Sequence, residues 1–169
     1  MARGDDEFAD FVRASSTRLT HAAFLLTGDR HQAEDAAQTA FTRTYAAWSR
    51  VRHKDAYGYA RTVLMNHVID GWRRPIREYA TETMPEGPDR VDVDKAVTQR
   101  EWLTSVLKTL TDRERAVVVL RHFFDLPEAD VARELGVSLG TVKSTNSRAL
   151  AKLRIEADTE DTLIGGSGR

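Results

Sequence analysis

Three observations predict an all-α chain of two small helical domains joined by a flexible acidic linker, the second domain a helix-turn-helix. Apolar residues recur every three to four positions along most of the chain, and the alternating runs and hairpin turns of strands are missing. Charge divides the chain into two basic blocks, each followed by an acidic block containing Gly, with Pro also in the first. Residues 126–154, LPEADVARELGVSLGTVKSTNSRALAKLR, carry small and apolar residues at the spacing of two helices crossing at a tight turn.

In the first domain, residues 8–77, Phe8, Phe11 and Val12 begin a stripe that continues through Leu19, Ala22, Ala23 and Leu26. Gly28 and Asp29 stop it. A second helix is predicted from Arg30 to Ser49, with Ala33, Ala36, Ala37, Ala40, Phe41 and Tyr45 at helical spacing. The polar stretch Val51–Asp55 suits a loop, and a third helix runs from Ala56 to Arg74, where Pro75 ends it. Residues 78–96 hold Pro85, Gly87 and Pro88 without a sustained stripe and read as the linker.

In the second domain, residues 97–155, a helix over Val97–Leu110 precedes Thr111, an N-cap whose capping box is completed by Glu114. The only β-prone run, VVVL at 117–120, sits inside a helical stripe. Pro127 suits the first turn of the next helix, Gly136 its left-handed end, and Ser138 the cap of a last helix reaching Arg154. Residues 156–169, ending in Gly and Ser, read as a disordered tail.

The net charge of −1 appears to exclude nucleic acid, which prefers basic partners. Residues 1–77, however, hold 12 Lys+Arg against 9 Asp+Glu, and residues 97–155 hold 10 against 7, so each domain is +3. The compensating negative charge lies at 78–96 and 156–169. Residues 138–155 contain four basic side chains and no acid, whereas 97–137 contain six and seven. The second domain's excess positive charge therefore sits on its last helix. Without Cys there is no disulfide, thiolate metal site or Cys nucleophile. The N-terminus lacks a signal-peptide layout and no stretch approaches 18 uninterrupted apolar residues, so a cytoplasmic protein with no membrane contact is expected.

Val131, Leu135, Val137 and Val142 supply the small core that holds the last helix on the one before, with Ala132 at the crossing and Gly136 in the turn. A helix held that way offers its N-terminal half to a DNA major groove. Its candidate contacts are Ser138, Thr141, Lys143, Ser144, Ser147 and Arg148. The third helix, YGYARTVLMNHVIDGWRR, interleaves aromatic, basic and amide side chains, the combination that unstacked bases and phosphates require. Tyr59 and Trp72 read as core residues in preference to base platforms.

These segments resemble the extracytoplasmic-function (group 4) sigma factors of bacterial RNA polymerase, most of all their actinobacterial SigE-like branch. LTGDRHQAEDAAQTAFTRTYAAWSRV resembles region 2.1–2.2, AYGYARTVLMNHVIDGWRR region 2.4, and LTDRERAVVVLRHFFDLPEADVARELGVSLGTVKSTNSRALAKLR region 4, in the family's order. The likeness implies that Glu34, Asp35, Gln38, Thr39 and Phe41 dock on the β′ clamp helices of core polymerase. It implies that Arg52, His53, Lys54, Arg61, Asn66, His67, Arg73 and Arg74 hold the −10 element. It also implies that the last helix reads the −35 element as duplex, and that the linker threads the polymerase's RNA exit path. The implied partners are core RNA polymerase (β′ clamp helices and β subunit), promoter DNA and, as for many members, an anti-sigma protein. Many members carry an acid where this chain has Thr39, and Arg where it has Thr145.

Other classes fit less well. The five His are scattered, with no H-E-x-x-H, Gly-rich phosphate loop or G-x-S-x-G, so neither an enzyme nor a metal or cofactor site is expected. The alternative is a stand-alone helix-turn-helix transcriptional regulator, which would need a sensor or dimer face that residues 1–77 do not offer.

Overall fold

The computed structural model describes the backbone of residues 2–74 and 95–165 and the side chains of residues 4–74 and 101–159. The expected linker, apart from Lys95 and Ala96, lies outside the described residues. The first unit is α1 (Ala2–Thr27), α2 (Arg30–Ala46), a single turn α3 (Trp48–Val51) and α4 (Ala56–Arg73). The second is α5 (Lys95–Lys108), α6 (Asp112–Val118) with a π-helical turn (Val119–Phe123), α7 (Glu128–Leu135) and α8 (Leu139–Gly165). No strand occurs among the described residues. No helix among them is long and apolar enough to cross a membrane.

Local chemistry sets the helix boundaries. Gly28, at φ +67°, takes the left-handed turn that ends α1, its N–H donating to Phe24 O at 2.8 Å. Asp29 then caps α2 through Gln32 N at 2.9 Å. Alanines dominate the buried face of α2 (Ala33, Ala36, Ala37 and Ala40), and small side chains let its backbone lie close to α1 and α4. Asp55 caps α4 through Gly58 N at 2.8 Å. A Cβ on Gly58 would lie 2.1 Å from the Asp55 carboxylate, so any larger residue there would have to shift the Asp55 side chain from its present position.

The structure alters four sequence expectations. The helix predicted over Arg30–Ser49 stops at Ala46 and restarts as α3, because the chain turns to seat Trp48 5.2 Å from Phe8 and 5.4 Å from Phe11. Pro127 is the residue before α7 and not part of its first turn. The Val117–Leu120 run leaves α6 through a π turn, with Phe124 N bonded to Val119 O at 3.0 Å. Finally, α8 runs on through residues 156–165, expected as a disordered tail. No Gly or Pro occurs in it between Gly140, in its first turn, and Gly165, and Thr159 Oγ1 donates back to Ile155 O at 2.8 Å.

In the second unit the capping box forms as expected: Glu114 N donates to Thr111 Oγ1 (3.2 Å) and Thr111 N to Glu114 Oε1 (2.9 Å). Glu114 is only 4% exposed, and Lys152 of α8 reaches the same carboxylate at 2.6 Å. Burial pushes its pKa up, but bonds from Lys152 and Thr111 outweigh that, and the net value lies below the ordinary 4.5. Gly136 ends α7 at φ +67° and Val131, Ala132, Val142 and Ala149 close the small core beneath α8. One hydrophobic cluster continues through both units.

Two stability measurements follow. A Cβ on Gly136 meets nothing within 4 Å, so Gly136→Ala should cost only the left-handed backbone term, about 1–2 kcal/mol, in the urea midpoint. Because the folded pKa of Glu114 is depressed, its charge contributes stability above about pH 4.5, lost as pH falls through the lowered value. Glu114→Gln retains the cap but not the charge, so its melting temperature should fall less steeply than wild type below that pH.

Candidate nucleic-acid interface

The Gly136 turn and the Val131–Val142 core fix the start of α8, and Ser138 caps it by accepting from Thr141 N at 3.1 Å. Ser138, Lys143, Ser144, Ser147 and Arg148 are all exposed along this half of the helix, with Thr141 half-buried beside them. A basic, hydroxyl-rich strip on a helix N-terminus suits phosphate contacts and base-edge donors alike. Thr145 faces inward at 1% exposure, and Arg148 Nη2 donates to its hydroxyl at 3.4 Å. A short side chain there braces Arg148 from beneath. Leu139, the first residue of α8, is 43% exposed. Sequence reasoning passed over it because a leucine opening an amphipathic helix reads as core.

The residues expected at a −10 strand lie on α4 and the turn before it, but they do not form one open surface. His53 and Lys54 are exposed in the turn, as are Asn66 and Arg73 on α4 and Arg74 just past its end. Arg52 turns back to α1, pairing with Glu7 at 3.1 Å. His67 Nε2 lies 3.2 Å from Asp35 Oδ2 on α2. Arg61 Nε reaches Glu134 of α7 at 3.3 Å. Tyr59 and Trp72 are half-buried, as the sequence suggests, each beneath an arginine: Arg50 lies 5.9 Å from Tyr59 and Arg115 5.5 Å from Trp72.

On α2, the neighbours Glu34 and Asp35 are exposed one turn before Gln38, with Thr39 half-buried at the edge, giving one polar strip. Phe41 departs from that group: its ring packs inward, 6.0 Å from Phe11. The alanine face of α2 holds this strip against the α1–α4 core.

Sequence reasoning missed the residues that join the two units. Arg115 is the largest of these. Its guanidinium donates to Leu107 O (3.0 Å), Leu110 O (3.1 Å) and, across the units, Leu26 O (3.1 Å). Burial pulls its pKa down and Asp112, at 3.5 Å, pulls it back. Arg18 donates to Phe123 O and lies over the Phe123 ring. Phe124 meets the edge of Tyr57 at 6.2 Å. A groove of about 430 Å³ separates the rest, with Asn66 and Arg73 on one wall and Arg133 and Gly136 on the other. No cluster of three or more His, Asp or Glu that would hold a metal occurs among the described residues.

Comparison with known proteins agrees with this layout. Residues 11–77 match the sigma-70 region 2 family and residues 100–153 the sigma-70 region 4 family. The chain is 41% identical over 157 residues to the RNA polymerase sigma-E factor of Streptomyces coelicolor, covering 92% of this chain and 88% of that protein. It is 40% identical to the sigma-E factor of Streptomyces avermitilis, over 95% of this chain and 91% of that one. Among solved structures, the sigma factor RpoE in complex with the anti-sigma factor NepR from Bartonella quintana shares the fold, with a TM-score of 0.68 at 20% identity. It covers 89% of this chain and 96% of that one. Regions 2 and 4 are matched in order, and the likeness to sigma-E factors runs through nearly the whole chain, so this protein belongs to the sigma-70 family of RNA polymerase sigma factors.

Proposed function

We infer that residues 8–77 act as the core-binding and −10-reading domain and residues 97–155 as the −35-reading domain of a promoter-specificity subunit that works in the cytoplasm without chemistry of its own. The observation that carries this reading is the exposed basic strip of α8, set at a fixed angle by the Gly136 turn. Lys143 and Arg148 are the side chains able to donate to guanine O6 and N7. Ser138, Thr141, Ser144 and Ser147 donate to phosphates or bases, and Leu139 offers an apolar contact to a thymine methyl.

The polar strip Glu34, Asp35, Gln38 and Thr39 meets core polymerase at the β′ clamp helices, with Phe41 bracing it from below. Region 4 meets the β subunit. Extruding a base from the −10 element costs a few kcal/mol, which polar groups around the base must offset. We assign that role to His53, Lys54 and Asn66, all exposed, with Arg52, Arg61, His67, Arg73 and Arg74 supplying strand contacts. Likeness to a sigma factor crystallised with its anti-sigma factor supports a similar inhibitory partner here.

In vitro transcription with core polymerase on a promoter library tests this reading. Initiation no higher than with core alone on every promoter would overturn it, and tight specific promoter binding without polymerase would favour a stand-alone regulator. Lys143→Ala or Arg148→Ala should lose about 1–3 kcal/mol of −35 discrimination for each base contact removed, read as relative initiation on single-base promoter variants. Asp35→Ala should weaken core binding by roughly 1–2 kcal/mol in a fluorescence titration. Its melting temperature should hardly change, since the exposed Asp35–His67 pair contributes little stability.

A further inference from the structure

Two side-chain ties hold α8 against rotation on the helix beneath it. Lys152 Nζ meets the buried Glu114 carboxylate of α6 at 2.6 Å, and Asn146 Oδ1 lies 2.9 Å from His122 Nε2 on the π turn. Held this way, α8 turns Thr145 into the core at 1% exposure, one turn from Val142 and from Ala149, both fully buried. A threonine inside a helix commonly gives its hydroxyl proton to the carbonyl four residues back. Thr27, Thr44 and Thr159 do so, to Ala23, Ala40 and Ile155 O at 2.8, 2.6 and 2.8 Å. At Thr145 the bond runs the other way, toward the exposed face: Arg148 Nη2 donates to Thr145 Oγ1 at 3.4 Å.

We propose that Thr145 sets base specificity at the −35 interface: its hydroxyl oxygen aims the Arg148 guanidinium into the major groove, so that Arg148 reads a guanine and not a neighbouring phosphate. The proposal rests on reading α8 as the −35 helix. Thr145 is a positioning residue, since its own side chain is closed off from DNA. Arginine is long and rich in rotamers, and a side chain fixed beforehand loses less on binding. Phosphates accept any donor that reaches them, whereas guanine O6 and N7 accept a fork presented in the plane of the base. A guanidinium tethered through one Nη2 proton keeps Nη1, Nε and the second Nη2 proton for that fork. At 3.4 Å the tether is longer than an ordinary N–H···O bond, so it steers the group without withholding it from the base.

Lys143 supplies the internal comparison. It precedes Arg148 by about 7.5 Å along α8 and roughly 140° around it. That rise matches about two base pairs at roughly 3.4 Å each, so the two side chains reach different base pairs. Ser144 and Ser147, both exposed, lie on the face between them. Thr145 stands one turn before Arg148 and therefore beside it, but residues two apart on a helix do not face each other, so Thr145 and Lys143 do not meet. The compact ammonium of Lys143 also has no plane to orient. A change at Thr145 should therefore reach the base pair under Arg148 and spare the one under Lys143. Loss of a residue that only filled the core would weaken every promoter alike.

Holoenzyme assembled from core polymerase and the full chain provides the test, on promoters varied one base pair at a time across the −35 element. Arg148→Ala should flatten the preference at one guanine-bearing pair. Thr145→Val removes the hydroxyl with little change of shape. It should lower the initiation preference at that same pair roughly threefold to tenfold, while the preference lost in Lys143→Ala stays within about twofold of wild type. Thr145→Ser restores the acceptor and should keep the preference. Added to Arg148→Ala, Thr145→Val should change nothing further at that pair. Thr145→Ala serves if the valine variant folds poorly by circular dichroism, and the same loss is expected of it. An unchanged preference at the Arg148 pair, an equal fall on every promoter, or a serine variant that behaves as the valine one would overturn the role of Thr145 and leave α8 as the −35 helix. Preferences unchanged everywhere in both Lys143→Ala and Arg148→Ala would overturn the −35 assignment of α8 and the Thr145 role with it, so the two failures are distinguishable.

Discussion

The buried guanidinium of Arg115 is the contact on which the arrangement of the two units depends. Helix C-termini leave carbonyls without intrahelical partners, and burying such carbonyls is costly unless donors reach them. Arg115 supplies donors to the end of α5, through Leu107 O and Leu110 O, and to the end of α1, through Leu26 O. Its plane also lies over Trp72 near the end of α4. Lysine carries its donors on one nitrogen and has no plane to stack, so it could not make this set of contacts. Three helix ends from two units thereby meet on one side chain, and the position of α7 against α4 follows from where α6 is held.

That geometry changes the meaning of the charge pattern. Each domain carries +3, yet much of the positive charge on region 2 is turned inward or paired. Arg61 meets Glu134, Arg52 meets Glu7, and Arg18 sits over Phe123. On α8 the basic side chains stay exposed at Lys143 and Arg148, where the helix has no acid to meet them. The near-neutral total thus divides into an exposed basic helix and a partly neutralised region 2.

Most of the fold was legible because it rests on local rules. Asp29, Asp55, Thr111 with Glu114, Gly28 and Gly136 all act within a few residues of themselves, and the structure shows each doing what its type favours there. The helix-turn-helix was legible for the same reason: its core residues lie within twelve positions, and its basic face follows from helical spacing. What sequence could not reach depends on distant pairs. Arg115 and Leu26 are 89 residues apart, Arg61 and Glu134 are 73, and every one of these charged side chains also reads well as solvated surface. The continuation of α8 into an acidic segment was missed because composition outweighed the plain absence of a breaker before Gly165. Phe41 was read two ways, in the apolar stripe of its helix and, from the family's motif, as a docking residue, and its ring follows the stripe in packing against Phe11.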